Sequence, residues 1–137
     1  RCTICPHLCV IQEGKRGICR TKETQGGKII SLTYGKLSAL AIDPIEKKPL
    51  AHYLPGSRTL SISSIGCNFS CPWCQNSGLS MSLIDDVQTR YMAPESVVEV
   101  AMTQECESIA YTRWIGSLEN TVLTKLKFLL GEMATCR

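Results

Sequence analysis

The sequence has few of the features that mark membrane, secreted or nucleic-acid-binding proteins. No apolar run approaches the roughly 18 residues that a membrane-spanning helix requires, and the chain is 44% hydrophobic and 20% charged, as in globular proteins. The net charge is only +3 and the basic residues are scattered, so no basic stripe predicts contact with nucleic acid. The first residues lack the order of a secretory leader. We therefore expect a soluble, cytoplasmic protein of one domain or two small lobes.

Cysteine is the residue type that the chain has in excess, with nine in 137 residues. A disulfide framework would leave one thiol unpaired, and nothing indicates an oxidising compartment. In a reducing cytosol, closely spaced cysteines instead indicate metal or cluster ligands, because short loops can turn neighbouring thiolates toward one centre. The cysteines form two groups and two isolated residues: Cys2, Cys5, Cys9 and Cys19; Cys67, Cys71 and Cys74; and Cys106 and Cys136.

The first half of the chain predicts a small lobe of short strands. The runs IISLTYG and LSALAID, parted by Gly35 and Lys36, predict a hairpin. The turn LPGS at residues 54–57 marks the best boundary, so we expect a cysteine-rich lobe over residues 1–57. The segment DPIEKKP at residues 43–49 is charged and turn-forming, which is typical of a solvated loop or of a surface that contacts a partner.

The residues after this boundary follow the order of an α/β fold. TLSISSIG predicts a strand, and SIAYT at residues 108–112 predicts another. Between them, a helical pattern that begins at Pro94 places four apolar residues on one face: Val97, Val98, Ala101 and Met102. This order favours parallel strands that bury both faces, with sites at their carboxyl ends. The loop with three cysteines begins directly after the first strand, where such a site is expected.

The spacing C-x3-C-x2-C of Cys67, Cys71 and Cys74 is one ligand short of a closed zinc site. A 4Fe-4S cluster held by three thiolates leaves one iron without a protein ligand, so a small molecule can bind there. A catalytic metal site needs such an open coordination position. Alternatively, Cys106, His52 or a cysteine of the first group supplies the fourth ligand, and the site is closed and structural.

The N-terminal group, Cys2, Cys5, Cys9 and Cys19, offers four thiolates, enough to close a zinc or iron–sulfur site without help. Its predicted role is structural, because a lobe of this size is short of apolar core and a bound metal contributes folding energy. A second, redox-active cluster is the alternative. His7 either replaces one ligand or orients a neighbouring thiolate.

Three stretches of the chain together resemble the radical S-adenosylmethionine enzyme of the AmmeMemoRadiSam system, a relative of the pyruvate formate-lyase activating enzymes. They are CTICPHLCVIQEGKRGICR, YGKLSALAIDPIEKKPLAHYLPGS and SIGCNFSCPWCQN, and the resemblance covers residues 1–112. It implies that Cys67, Cys71 and Cys74 ligate a 4Fe-4S cluster whose open iron binds S-adenosylmethionine. It also implies an electron donor, cleavage to methionine and a 5′-deoxyadenosyl radical, and hydrogen abstraction from a substrate or a protein partner of that system. Trp73 or Phe69 would pack near the adenine or shield the cluster, unless both are plain core residues.

Beyond residue 112 the sequence departs from that family. The family continues with an Asn-Glu-Pro stretch that holds the amino group of S-adenosylmethionine, whereas this chain reads RWIGSLENTVLTKLKF. Residues 58–112 are therefore expected to form the start of a partial (βα) barrel, apparently truncated, and residues 113–137 a divergent helical tail. We expect this chain to bind a cluster but to show little cleavage. The alternative from another class is a non-catalytic zinc- or iron–sulfur-binding module that recruits a protein partner.

Overall fold

The N-terminal segment is organised around a tight hairpin. The computed structural model describes residues 1–48 and 52–111. Strands β1 (Lys22–Gln25) and β2 (Lys28–Ser31) pair antiparallel around Gly26 and Gly27, which both have positive φ. Two consecutive residues with positive φ form the turn that best joins such strands, and glycine adopts it without a steric penalty. Isolated bridges join Glu13 to Thr24 and Arg16 to Glu23, so the preceding cysteine-rich segment is held against β1.

A three-stranded sheet lies beyond this hairpin. After the short β3 (Lys36–Leu37) comes β4 (Ala39–Pro44), which pairs antiparallel with β5 (Arg58–Ser63). The chain then forms a short helix α1 (Ser77–Ser80), strand β6 (Arg90–Tyr91), helix α2 (Pro94–Thr103) and strand β7 (Ser108–Tyr111). Strand β7 pairs in parallel with β5, and β6 pairs antiparallel with β3. The sheet order is therefore β4, β5, β7, with β5 in the centre.

The main hydrophobic core lies between α2 and this sheet. Every residue of β5 except Arg58 is buried, as expected for a central strand that is covered on both faces. Helix α2 begins with Pro94 in its first turn, where the missing N–H costs no hydrogen bond. The buried side chains of the core come from β3, β5, α2 and the turn that follows α2: Leu37, Leu60, Ile62, Val97, Val98, Ala101 and Cys106.

Several local predictions are confirmed and two are wrong. The strand before the cysteines, the helix that begins at Pro94 and the strand at SIAYT are all present. The predicted hairpin of IISLTYG with LSALAID is wrong, because β2 pairs with β1 and β4 pairs with β5. The β4–β5 pairing also crosses the expected boundary at residue 57. Met102 is exposed rather than on the core face of α2, and Cys106 occupies the core after Ala101.

The predicted tail helix, with Arg113 and Trp114, lies outside the described residues. Within residues 1–48 and 52–111, no helix has the length and apolar character needed to cross a membrane.

Candidate metal centre

The cysteine loop, residues 66–76, begins at the carboxyl end of the central strand β5. Its first residue, Gly66, has a φ of +85°, and its Cα packs against the N-terminal segment. A Cβ at this position would overlap the methyl group of Thr21 and lie 2.6 Å from the backbone oxygen of Cys19. Only glycine meets both the conformational and the steric requirement. The loop is therefore fixed at its start by the strand on one side and by the N-terminal segment on the other.

The three thiols of the loop differ in exposure. Cys67 is buried, Cys74 is half-buried and Cys71 is exposed. The backbone N–H of Phe69 donates to Sγ of Cys67 at 3.4 Å, and Sγ of Cys74 lies 3.3 Å from the hydroxyl of Ser80. These contacts hold the side chains of Cys67 and Cys74 in place. Cys71 and Cys74 are linked by a turn, in which the Cys74 N–H donates to the Cys71 carbonyl at 3.2 Å.

Both aromatic residues of the loop face solvent. Phe69 is 52% exposed and Trp73 is 84% exposed, so neither belongs to the described core. Large apolar side chains at such exposure are available to cover a bound group or to contact another protein surface. This exposure excludes plain core packing within the described part of the chain.

The four N-terminal cysteines line a single small cavity, here called the N-terminal cavity, of about 10 Å³. The Cys2 N–H donates to the Cys9 carbonyl at 2.8 Å, and the hydroxyl of Thr21 donates to Sγ of Cys19 at 3.2 Å. The other side chains around the cavity are apolar or come from three polar residues: Ile4, Ile11, Ile18, His7, Lys22 and Asn68. The fold therefore brings the predicted N-terminal group together, although its members are separated by up to 17 positions in the sequence.

Neither cysteine group has closed into a ligand set. Among residues 1–48 and 52–111, no three His, Cys, Asp or Glu side chains are arranged to hold a metal ion. The thiols nevertheless fit a metal chemically, since none of the eight cysteines in the described part of the chain is in a disulfide. Lining one cavity is a weaker condition than ligand geometry, and the N-terminal cysteines meet only the first.

The candidates for a fourth ligand of the cysteine loop lie elsewhere. Cys106 packs in the hydrophobic core beside α2, where burial raises the pKa of its thiol. His52 is exposed in the segment that precedes β5. The N-terminal cysteines surround their own cavity. Among the described residues, none of these candidates completes a ligand set with the loop thiols.

A contact between the two cysteine groups was not predictable from the sequence. Nε2 of His7 donates to the backbone oxygen of Asn68 at 2.8 Å, because a carbonyl oxygen can only accept. Asn68 is 7% exposed and lines the N-terminal cavity, directly after Cys67. Its side-chain Oδ1 is buried and has no hydrogen-bond partner among the described residues. The contact joins residues 61 positions apart, and no local sequence pattern predicts it.

The first residue of the segment DPIEKKP, Asp43, is bonded to other residues of the chain rather than exposed to solvent or to a protein partner. Asp43 is 7% exposed and accepts hydrogen bonds from Lys47 at 2.7 Å, Ser61 at 2.6 Å and Lys48 at 3.0 Å. The Lys47 ammonium, with the Ser61 and Lys48 donors, holds the pKa of this carboxyl well below its usual range. Asp43 therefore ties β4 to β5 and to the 3-10 turn Ile45–Lys47.

The chain is similar to an archaeal protein over most of its length. An uncharacterized protein of Methanocaldococcus jannaschii is 47% identical to this chain over 112 residues. The alignment covers 82% of this chain and 34% of the archaeal protein, so the chain spans about a third of the length of that relative. No protein-family model and no solved structure matches the chain.

Proposed function

We propose that the cysteine loop binds a 4Fe-4S cluster through Cys67, Cys71 and Cys74, as in radical S-adenosylmethionine enzymes. The observation that carries the proposal is the position of three reduced thiols in one loop at the carboxyl end of β5, beside a parallel strand. Sites in α/β folds form at this end of the strands. The parallel β5–α2–β7 unit also supports the proposal that the sheet is the beginning of a (βα) barrel.

The residues of the loop would have different roles in holding such a cluster. Buried Cys67 is the fixed ligand, because Gly66 and Asn68 on either side contact the N-terminal segment. Cys71 is exposed, so a group bound there would be open to a small molecule from solvent. The exposed rings of Phe69 and Trp73 are the apolar surfaces that would cover an adenine and exclude water.

In a full-length protein, such a cluster would supply one electron, taken from an external donor, for the reductive cleavage of S-adenosylmethionine to methionine and a 5′-deoxyadenosyl radical that would abstract hydrogen from a substrate. This chain would hold the cluster through its three cysteines but is expected to show little cleavage, because the Asn-Glu-Pro stretch of the family is absent after residue 112. The proposal requires an electron donor and a reducing location such as the cytoplasm, where thiols remain free.

Anaerobic reconstitution with iron and sulfide tests the proposal. We expect about four irons per chain and a visible charge-transfer absorbance at the loop. The variant in which Cys67, Cys71 and Cys74 are all changed to Ala loses this absorbance, whereas Cys106→Ala, which removes a core thiol, keeps it. Unchanged absorbance in the triple variant would contradict cluster binding at these three cysteines.

The exposed aromatic pair favours one other function. Phe69 and Trp73 beside the cysteines would also suit a zinc-binding module that recruits a protein partner, since exposed aromatic residues are common in protein interfaces. The same reconstitution separates the two functions. Zinc without iron at Cys67, Cys71 and Cys74 would support the module and exclude the radical enzyme.

A further inference from the structure

We infer that the N-terminal cavity holds one zinc ion on four thiolates, and that the loaded lobe positions the cysteine loop through His7 and Gly66. The zinc site stands independently of the loop's chemistry. The positioning role rests on the proposed function, because it concerns how the loop is held for its own metal group.

The N-terminal cavity has room for a single ion. Its volume of about 10 Å³ is close to the space that one water molecule needs, and one metal ion fits such a space. Four cysteine thiolates around one Zn²⁺ are a closed structural site, and four cysteines line this cavity. The ligand set is therefore suited to a structural zinc ion.

The surrounding charges and polar groups agree with this assignment. Four thiolates and one Zn²⁺ carry a net negative charge, and Lys22, only 3% exposed, lines the same cavity while its ammonium donates to the Ser31 hydroxyl at 2.9 Å. A buried cation is stabilised by a nearby negative charge.

Two contacts transmit the position of the lobe to Cys67. Before this cysteine, Gly66 packs against the backbone oxygen of Cys19, and after it, the backbone oxygen of Asn68 accepts from His7. Both contacting residues of the lobe belong to the segment that forms the N-terminal cavity. Because metal binding would stabilise this segment, it would also stabilise the two contacts that flank Cys67. His7 is thus a positioning residue for the loop.

The zinc site is tested in the full chain with Cys67, Cys71 and Cys74 changed to Ala, which leaves the N-terminal thiols as the clustered ligands. Zinc is added alone, excess is removed, and metal is counted by mass spectrometry. We expect about one zinc per chain. Further replacement of Cys2, Cys5, Cys9 and Cys19 should abolish binding. No bound zinc in the first variant would overturn the assignment.

The positioning role is tested without iron, so its failure is distinct from failure of the proposed cluster. The chain carries one equivalent of zinc, and the alkylation rate of Cys67 by iodoacetamide is followed by peptide mass spectrometry. Loss of one hydrogen bond should raise this rate about two- to tenfold in His7→Ala. His7→Gln retains a side-chain donor and should restore slow alkylation.

The matched control is His52→Ala, because His52 is the other histidine of the chain and is exposed. It should leave both zinc content and alkylation of Cys67 unchanged. Equal alkylation rates in the wild type, His7→Ala and His52→Ala would overturn the positioning role. Loss of zinc from His7→Ala would overturn the four-thiolate assignment, because it would give His7 a place in the ligand set.

Discussion

Replacement of Gly66 by alanine tests how closely the cysteine loop packs against the N-terminal segment. The left-handed backbone at this position costs a non-glycine residue about 1–2 kcal/mol. The added Cβ would also overlap the Thr21 methyl group and lie 2.6 Å from the Cys19 oxygen. Overpacking of this kind costs about 1–3 kcal/mol. We therefore expect Gly66→Ala to lower the free energy of unfolding by about 2–5 kcal/mol, a large fraction of the total for one domain.

The matched control is Gly56→Ala. Gly56 has a φ of +80°, and no atom of the described residues lies within 4 Å of an added Cβ. This variant should lose only about 1–2 kcal/mol, the cost of the backbone conformation. The assay is urea unfolding of the zinc-loaded chain followed by circular dichroism. Equal losses in the two variants would show that Gly66 does not pack against Cys19 and Thr21, and would refute the contact.

Two further predictions concern buried ionisable groups. Asp43→Asn should lower the free energy of unfolding by about 2–3 kcal/mol near neutral pH, because it removes a charge that three donors stabilise. Since the pKa of Asp43 is lower in the folded than in the unfolded chain, this difference should shrink below about pH 4 in urea titrations. Exposed Asp86→Asn is the control, and a difference independent of pH would contradict the ion-pair network. Cys106, whose pKa is raised by burial, should be alkylated at least about tenfold more slowly than exposed Cys71 in the metal-free chain. Comparable rates would place Cys106 outside the core.

Local patterns in the sequence predict where the helices and strands lie better than they predict which strands pair. The apolar residues and the length of β5 are local signals for a strand, and the helical spacing of Val97, Val98 and Ala101 is a local signal for the buried face of α2. The pairing of β4 with β5 is not local, since Ala39 lies opposite Ser63, and it was missed. Met102 was misplaced because the chain turns back after α2 and fills the core with Cys106, whose N–H donates to the Ala101 carbonyl.

The same distinction holds for the candidate site. Cysteine spacing is a local signal, so both groups were visible in the sequence. The contacts that hold the groups against each other join distant residues, such as His7 with Asn68, and a single sequence carries no signal for them. Asp43 likewise resembled a surface residue, because its partner Ser61 lies on the neighbouring strand.

The precision of the cysteine loop must come from its neighbours. The loop is followed only by the four-residue helix α1, which is too short to fix the thiols alone. Displacement by about 1 Å can cost a reaction on the order of 100-fold in rate. The exposed ion pair of Arg16 with Asp85, at 2.7 Å, adds little rigidity by itself. The part-buried contacts on either side of Cys67 are therefore the ones that would hold a reactive group in place, and they come from the N-terminal segment that a zinc ion would stabilise.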